Sequence, residues 1–138
     1  MKEVLLKIEG IQTNADGEES VIEMVTEGKF YNKSDAIYLV YKETELSGME
    51  GCVTTVKLAD DKIFLKRFGP MVSEMIFEQG KRYAASYSTP YGELDLEVQT
   101  KRATYAISDA NKGNIYIEYE IKLEGITESR NRLNIQIM

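Results

Sequence analysis

The sequence predicts an all-β protein, an antiparallel up-and-down β-barrel of roughly eight to ten strands with little helix. Three observations predict it. Apolar and polar residues alternate with period two through most of the chain. Clusters of Gly, Pro, Asn, Asp and Ser interrupt that alternation at short intervals. Nearly every connection is short enough for a hairpin, whereas a Greek-key sandwich needs longer crossovers. A closed meander also removes exposed edge strands. A chain of 138 residues suits one domain spanning 1–138.

Each element follows from its own alternation. Val4, Leu6 and Ile8 alternate with Leu5, Lys7 and Glu9. Ile22, Met24, Thr26 and Phe30 lie opposite Glu23, Glu27 and Lys29. Ile37, Leu39, Tyr41, Glu43 and Glu45 share one face, as do Cys52, Thr54, Val56 and Leu58. Ile63, Leu65 and Arg67 oppose Phe64, Lys66 and Phe68. Tyr83, Ala85, Tyr87 and Thr89 line up, and Leu94, Leu96 and Val98 do the same. The clearest case is Ile115, Ile117, Tyr119, Ile121 and Leu123 against Tyr116, Glu118, Glu120, Lys122 and Glu124. Leu133, Ile135 and Ile137 close the series. Each reads as a strand with one dry and one wet side. Turns are expected at 14–17, 32–35, 46–51, 60–61, 69–70, 79–80, 89–92, 109–113 and 124–125. Only Pro70–Glu74 reads as a short helical stretch.

Inventory narrows the chemistry. There is no histidine or tryptophan, and Cys52 is the one cysteine. Histidine triads, histidine proton relays and the usual zinc sites are excluded, and no cofactor is called for. Cys52 reads as a small buried hydrophobe, since no histidine can activate it. The N-terminus is interrupted by charges, and no apolar run approaches the ~18 residues of a membrane span. With a lone cysteine, these features point to the cytoplasm and to no membrane partner. Net charge is −6, and residues 1–50 hold it all, with 5 basic and 11 acidic side chains against 12 and 12 in residues 51–138. Such a balance repels phosphate backbones, so no nucleic-acid partner is expected.

The informative residues are the polar ones on dry faces. If Ile37 and Leu39 point inward, Tyr41 and Glu43 do too; if Ile63 and Leu65 do, so does Arg67. A lone buried charge costs several kcal/mol, so Glu43 and Arg67 are expected to pair. Tyrosine hydroxyls and Thr54 would satisfy what remains. The candidate ligand-binding set is therefore Tyr41, Glu43, Thr54, Arg67, Tyr83 and Tyr87, with no catalytic or metal site. The bland alternative is a satisfied polar network at the barrel mouth. A one-residue slip of register would turn the whole set to solvent.

In order along the chain stand Tyr41-Lys-Glu43, Gly51 with Thr54 and Lys57, Arg67-Phe-Gly69, Met75-Ile-Phe77, Gly80, Tyr87-Ser-Thr-Pro-Tyr-Gly92, Leu94 and Leu96, Thr100 and Ile117-Glu-Tyr-Glu-Ile121. With these the chain resembles the YwiB-like family of uncharacterised bacterial β-barrel proteins, grouped with the calycins. The resemblance covers nearly the whole chain. It implies a calycin-type barrel, like that of lipocalins and fatty-acid-binding proteins, and supplies no function. The Gly-X-Trp strand motif of secreted lipocalins has no counterpart here, and Gln12–Glu19 reads as a polar turn rather than a helical lid.

Three readings of function are open. The first is a module binding a small amphipathic or anionic molecule inside the barrel, with Arg67 at the anionic head. The second is a protein–protein interaction module with a side-chain-filled core, using the acidic first third or a rim of Tyr31, Tyr38 and Tyr91; its protein partner is unknown. The third is an enzyme with Glu43 as base and Arg67 as electrostatic stabiliser.

Overall fold

The computed structural model describes residues 1–44, 50–108, 112–123 and 126–138. The inward placement of Glu45, most of the turn at 46–51, the start of the turn at 109–113 and the turn at 124–125 lie outside the described residues. Ten strands are present among the described residues: β1 (Lys2–Asn14), β2 (Glu19–Lys33), β3 (Ala36–Lys42), β4 (Val53–Ala59), β5 (Lys62–Phe68), β6 (Val72–Phe77), β7 (Arg82–Thr89), β8 (Gly92–Ile107), β9 (Gly113–Leu123) and β10 (Ile126–Ile137). Every strand pairs antiparallel with its sequence neighbours, and β1 pairs with β10 to close the barrel. The expected up-and-down barrel is thus realised, and no helix occurs among the described residues.

The Pro70–Glu74 stretch corrects the expectation of a helical turn. Gly69, Pro70 and Met71 bend the chain, and β6 starts at Val72. The reason is alternation: Ser73, Met75 and Phe77 are buried and pair with Arg67, Leu65 and Ile63 of β5. The first turn falls where it is expected and is shorter than the polar stretch Gln12–Glu19, because β1 runs on to Asn14 and β2 starts at Glu19. The Asn14 side chain closes that turn, accepting hydrogen bonds from the backbone N–H groups of Asp16 and Glu18 at 3.0 and 2.9 Å.

Two hairpins at one end turn through residues of positive φ that are not glycine, Ser34-Asp35 and Asp60-Asp61. Two-residue loops with both φ positive match the right-handed twist of the flanking strands. At the other end Gly69 (φ +150) crosses the entry to β4 so closely that a Cβ would lie 2.7 Å from the Gly51 carbonyl oxygen. Only glycine fits there, and this contact fixes the corner just after Arg67.

The interior has two halves. Toward the Ser34-Asp35 and Asp60-Asp61 turns it is solid: Leu6, Leu39, Leu58, Ile63, Phe77, Ile115, Ile117 and Ile135 are almost wholly buried and belong to one apolar cluster. Toward the turns at 14–18, 69–71 and 90–91 it is hollow, with a cavity of about 390 Å³.

Candidate functional site

The polar residues form one rung of the barrel. Tyr41 pairs with Thr54, Thr54 with Arg67, Arg67 with Ser73, Ser73 with Tyr87 and Tyr87 with Leu94, so five neighbouring strands each contribute one inward polar side chain at the same height. Glu43 lies one inward step beyond Tyr41. Its N–H donates to the Cys52 carbonyl at 2.9 Å, which extends the β3–β4 ladder past Lys42 and keeps the Glu43 side chain inside. The next rung toward the solid half is apolar: Leu39, Val56, Leu65 and Met75.

The expected Glu43–Arg67 pair is present. Arg67 Nε lies 3.7 Å from Glu43 Oε1, with the Arg67 side chain 15% and the Glu43 side chain 3% exposed. Thr54 Oγ1 donates to the same carboxylate oxygen at 2.6 Å. Burial pushes the Tyr41 phenol far above its ordinary value, and the neighbouring Glu43 carboxylate adds to the effect while Arg67 opposes it. Burial likewise raises the Tyr119 phenol, again against Arg67. Tyr119 packs its ring on Phe77 at 4.6 Å, at the boundary between the two halves.

Two donors on this rung are orphaned. At 3.7 Å, Arg67 Nε is beyond hydrogen-bond distance of Glu43, and it finds no acceptor among the described residues. Ser73 Oγ, on the next strand, is also buried with no partner among the described residues. Both residues line the 390 Å³ cavity. So do Tyr41, Glu43, Tyr87 and Tyr119, while Ile22, Met24, Leu96 and Ile121 supply apolar wall.

Of the six residues singled out from the sequence, Tyr41, Glu43, Arg67 and Tyr87 line the cavity. Thr54 stands behind Glu43 as its donor. The Tyr87 hydroxyl does not join the ion pair; it donates to Met71 Sδ at 2.9 Å. Tyr83 is elsewhere. It pairs with Val98 near the opposite end and donates to the Glu78 carboxylate, which raises its phenol. Alternation gives the face of Tyr83 and not its height, because it specifies which side a residue takes and not how far along the barrel it sits. Ser73 is absent from the sequence-derived set because it falls in the stretch that reads as helical; the spacing Ser73, Met75, Phe77 holds the signal. Cys52 is buried as expected, its thiol 3.6 Å from the Met71 carbonyl.

The Glu43 oxygen that would act as a base already accepts from Thr54 and pairs with Arg67. That arrangement speaks against general-base chemistry and for a carboxylate that positions Arg67. No group of acidic and cysteine side chains that could hold a metal ion occurs among the described residues. No helix is long and apolar enough to cross a membrane, among the described residues.

Comparison with known proteins agrees with this architecture. The sequence profile of a family described as "Domain of unknown function (DUF1934)" matches residues 6–135. The "Uncharacterized beta-barrel protein YwiB" of Bacillus subtilis (strain 168) is 31% identical over 121 residues, covering 87% of this chain and 82% of that protein. The crystal structure of ywiB protein from Bacillus subtilis superimposes with a TM-score of 0.83 at 26% identity, covering 98% of this chain and 89% of that one. With a closed ten-strand meander matched over almost its whole length, the chain belongs to the DUF1934 family of YwiB-like β-barrel proteins.

Proposed function

We infer that this barrel binds a small amphipathic molecule with an anionic head in its hollow half. The observation that carries the reading is the pair of buried donors, Arg67 Nε and Ser73 Oγ, left without acceptors among the described residues on the wall of a largely apolar cavity. Buried donors are rarely left unpaired, and each costs about 1–3 kcal/mol unless something accepts from it. A carboxylate or phosphate would accept from both, while its tail lay along Met24, Leu96 and Ile121. The volume suits a ligand of modest size, since binding cavities generally range from ~300 to 1,000 Å³. A closed meander with one interior site is also how lipocalins hold a ligand, which supports the calycin grouping. A cytoplasmic location is part of this proposal, on the ground that the chain's lone cysteine can form no internal disulfide.

Native mass spectrometry of the purified protein, against the same sample denatured, tests the reading. A reproducible extra mass lost on denaturation is expected. Where preparations are bare, anilinonaphthalene sulfonate, an anionic amphipath, serves as probe. Ser73→Ala should weaken its binding about tenfold, the worth of one hydrogen bond to a charged group. Because it removes an orphaned hydroxyl, it should not destabilise the fold. A bare mass together with no probe binding would overturn the proposal.

A further inference from the structure

The outward face of β2 carries a pattern that is its own complement. Outward positions of the strand from Glu23 to its end are Glu23, Val25 and Glu27, then Lys29, Tyr31 and Lys33, with Glu19 and Val21 before this stretch. The centre of that series is Gly28. Turned end for end, it sets Glu23 against Lys33, Val25 against Tyr31 and Glu27 against Lys29. The four charged residues are exposed, and Val25 is 58% exposed. Tyr31 stacks on Tyr38 of β3 at 5.1 Å, which holds both rings upright on the surface. Glu23 contacts Lys7 at 3.6 Å, while the side chains of Glu27, Lys29 and Lys33 enter no ion pair among the described residues.

We propose that this face joins two copies of the chain about a two-fold axis that passes over Gly28 at right angles to β2. That axis runs the two β2 strands antiparallel and produces each of the three pairings twice, as an isologous contact requires. The alternative axis, along the strand, would set Glu27 on Glu27 and Lys29 on Lys29, and like charges reject it. Gly28 can lie at the crossing point because its inward side is already filled: a Cβ there would meet Leu6 Cδ1 at 2.7 Å. Leu5 of β1, opposite Glu27 and 42% exposed, and Val40 of β3, opposite Lys29, add apolar area on either side. Exposed ion pairs are individually weak, so the apolar residues supply the attraction and the charges supply the register. A chain of net charge −6 repels its own copy over most approaches. A face whose signs are ordered in this way is where that repulsion is locally reversed.

The test is a charge swap read by light scattering or sedimentation at low salt, with far-UV circular dichroism to show that each variant is folded. The wild-type chain should dimerise as concentration rises. Glu27→Lys alone sets a lysine against Lys29 and should stay monomeric, with dissociation shifted by about tenfold or more. Lys29→Glu alone sets acid against acid and should behave the same way. An equimolar mixture of the two should recover a dimer, because every pairing is then of opposite sign. A wild-type monomer at all concentrations would overturn the proposal. Dimers formed equally by either variant alone would place the interface elsewhere. A mixture that fails to associate would refute the 27-to-29 pairing.

Discussion

At the scale of single residues, the site is a charge pair whose two members are unequally served. Glu43 has Thr54 and Arg67, whereas Arg67 Nε has only a long contact. Arg67→Met therefore removes the cation from a nearly sealed carboxylate. It should cost roughly 2–3 kcal/mol in urea denaturation, below the usual value for a fully buried pair because Arg67 is partly open and Thr54 remains. Adding Glu43→Gln to Arg67→Met should recover most of the loss, since the neutral amide still accepts from Thr54. No recovery would mean the pair is not the source of the effect. Tyr41 gives a second prediction. Its phenol is raised above its ordinary value of 10.0, so the folded state keeps its proton where the unfolded chain gives it up. Its contribution is intact below pH ~10 and declines as pH rises further, by about 1.4 kcal/mol per pH unit for each such group. Tyr119 acts in the same direction. Absorbance titration at 295 nm should show these phenols ionising only as the protein unfolds, and Tyr41→Phe should flatten the alkaline loss of stability.

At the scale of elements, the turns are where local chemistry is least relaxed. Asp60-Asp61 holds two side chains in the left-handed region that glycine enters freely. Asp61→Gly should raise stability by about 0.5–1 kcal/mol, visible as a higher melting temperature. Gly69→Ala should do the reverse and cost more than about 2 kcal/mol, because the new Cβ meets backbone that cannot move aside. The strands themselves are legible in the sequence, because period-two alternation is a property of neighbouring residues; Leu39, Tyr41 and Glu43 inside and Val40 and Lys42 outside need no tertiary information. Pairing is not legible in the same way. That Tyr41, Thr54, Arg67, Ser73 and Tyr87 share one rung depends on the register of four hairpins at once, and alternation alone groups Tyr83 with them although it sits at the far end of the barrel. The sequence suggests helix at Pro70–Glu74 because proline after glycine marks a break without specifying the element on its far side.

For the whole molecule, the division into a solid and a hollow half separates stability from binding. Truncating the solid half should be expensive: Ile117→Ala should cost about 2–5 kcal/mol in chemical denaturation. Enlarging a side chain in the hollow half should be cheap, since Ala85 lines the cavity; Ala85→Leu should alter stability by less than about 1 kcal/mol while excluding the anionic probe. Equal losses from both changes would contradict the division. The closing pair has a different consequence. β1 joins β10 through nine rungs, from Leu6 with Ile137 to Asn14 with Ser129. On the ribosome, β1 is made first and must wait for its partner until the strand beginning at Ile126 has emerged from the exit tunnel. Until then any sheet that the nascent chain forms has two raw edges, and such a sheet invites pairing with its neighbours on a polysome. A stalled or truncated message that ends before β10 yields more than a weaker protein. It yields one that can never close, which makes the last strand the chain's own quality check.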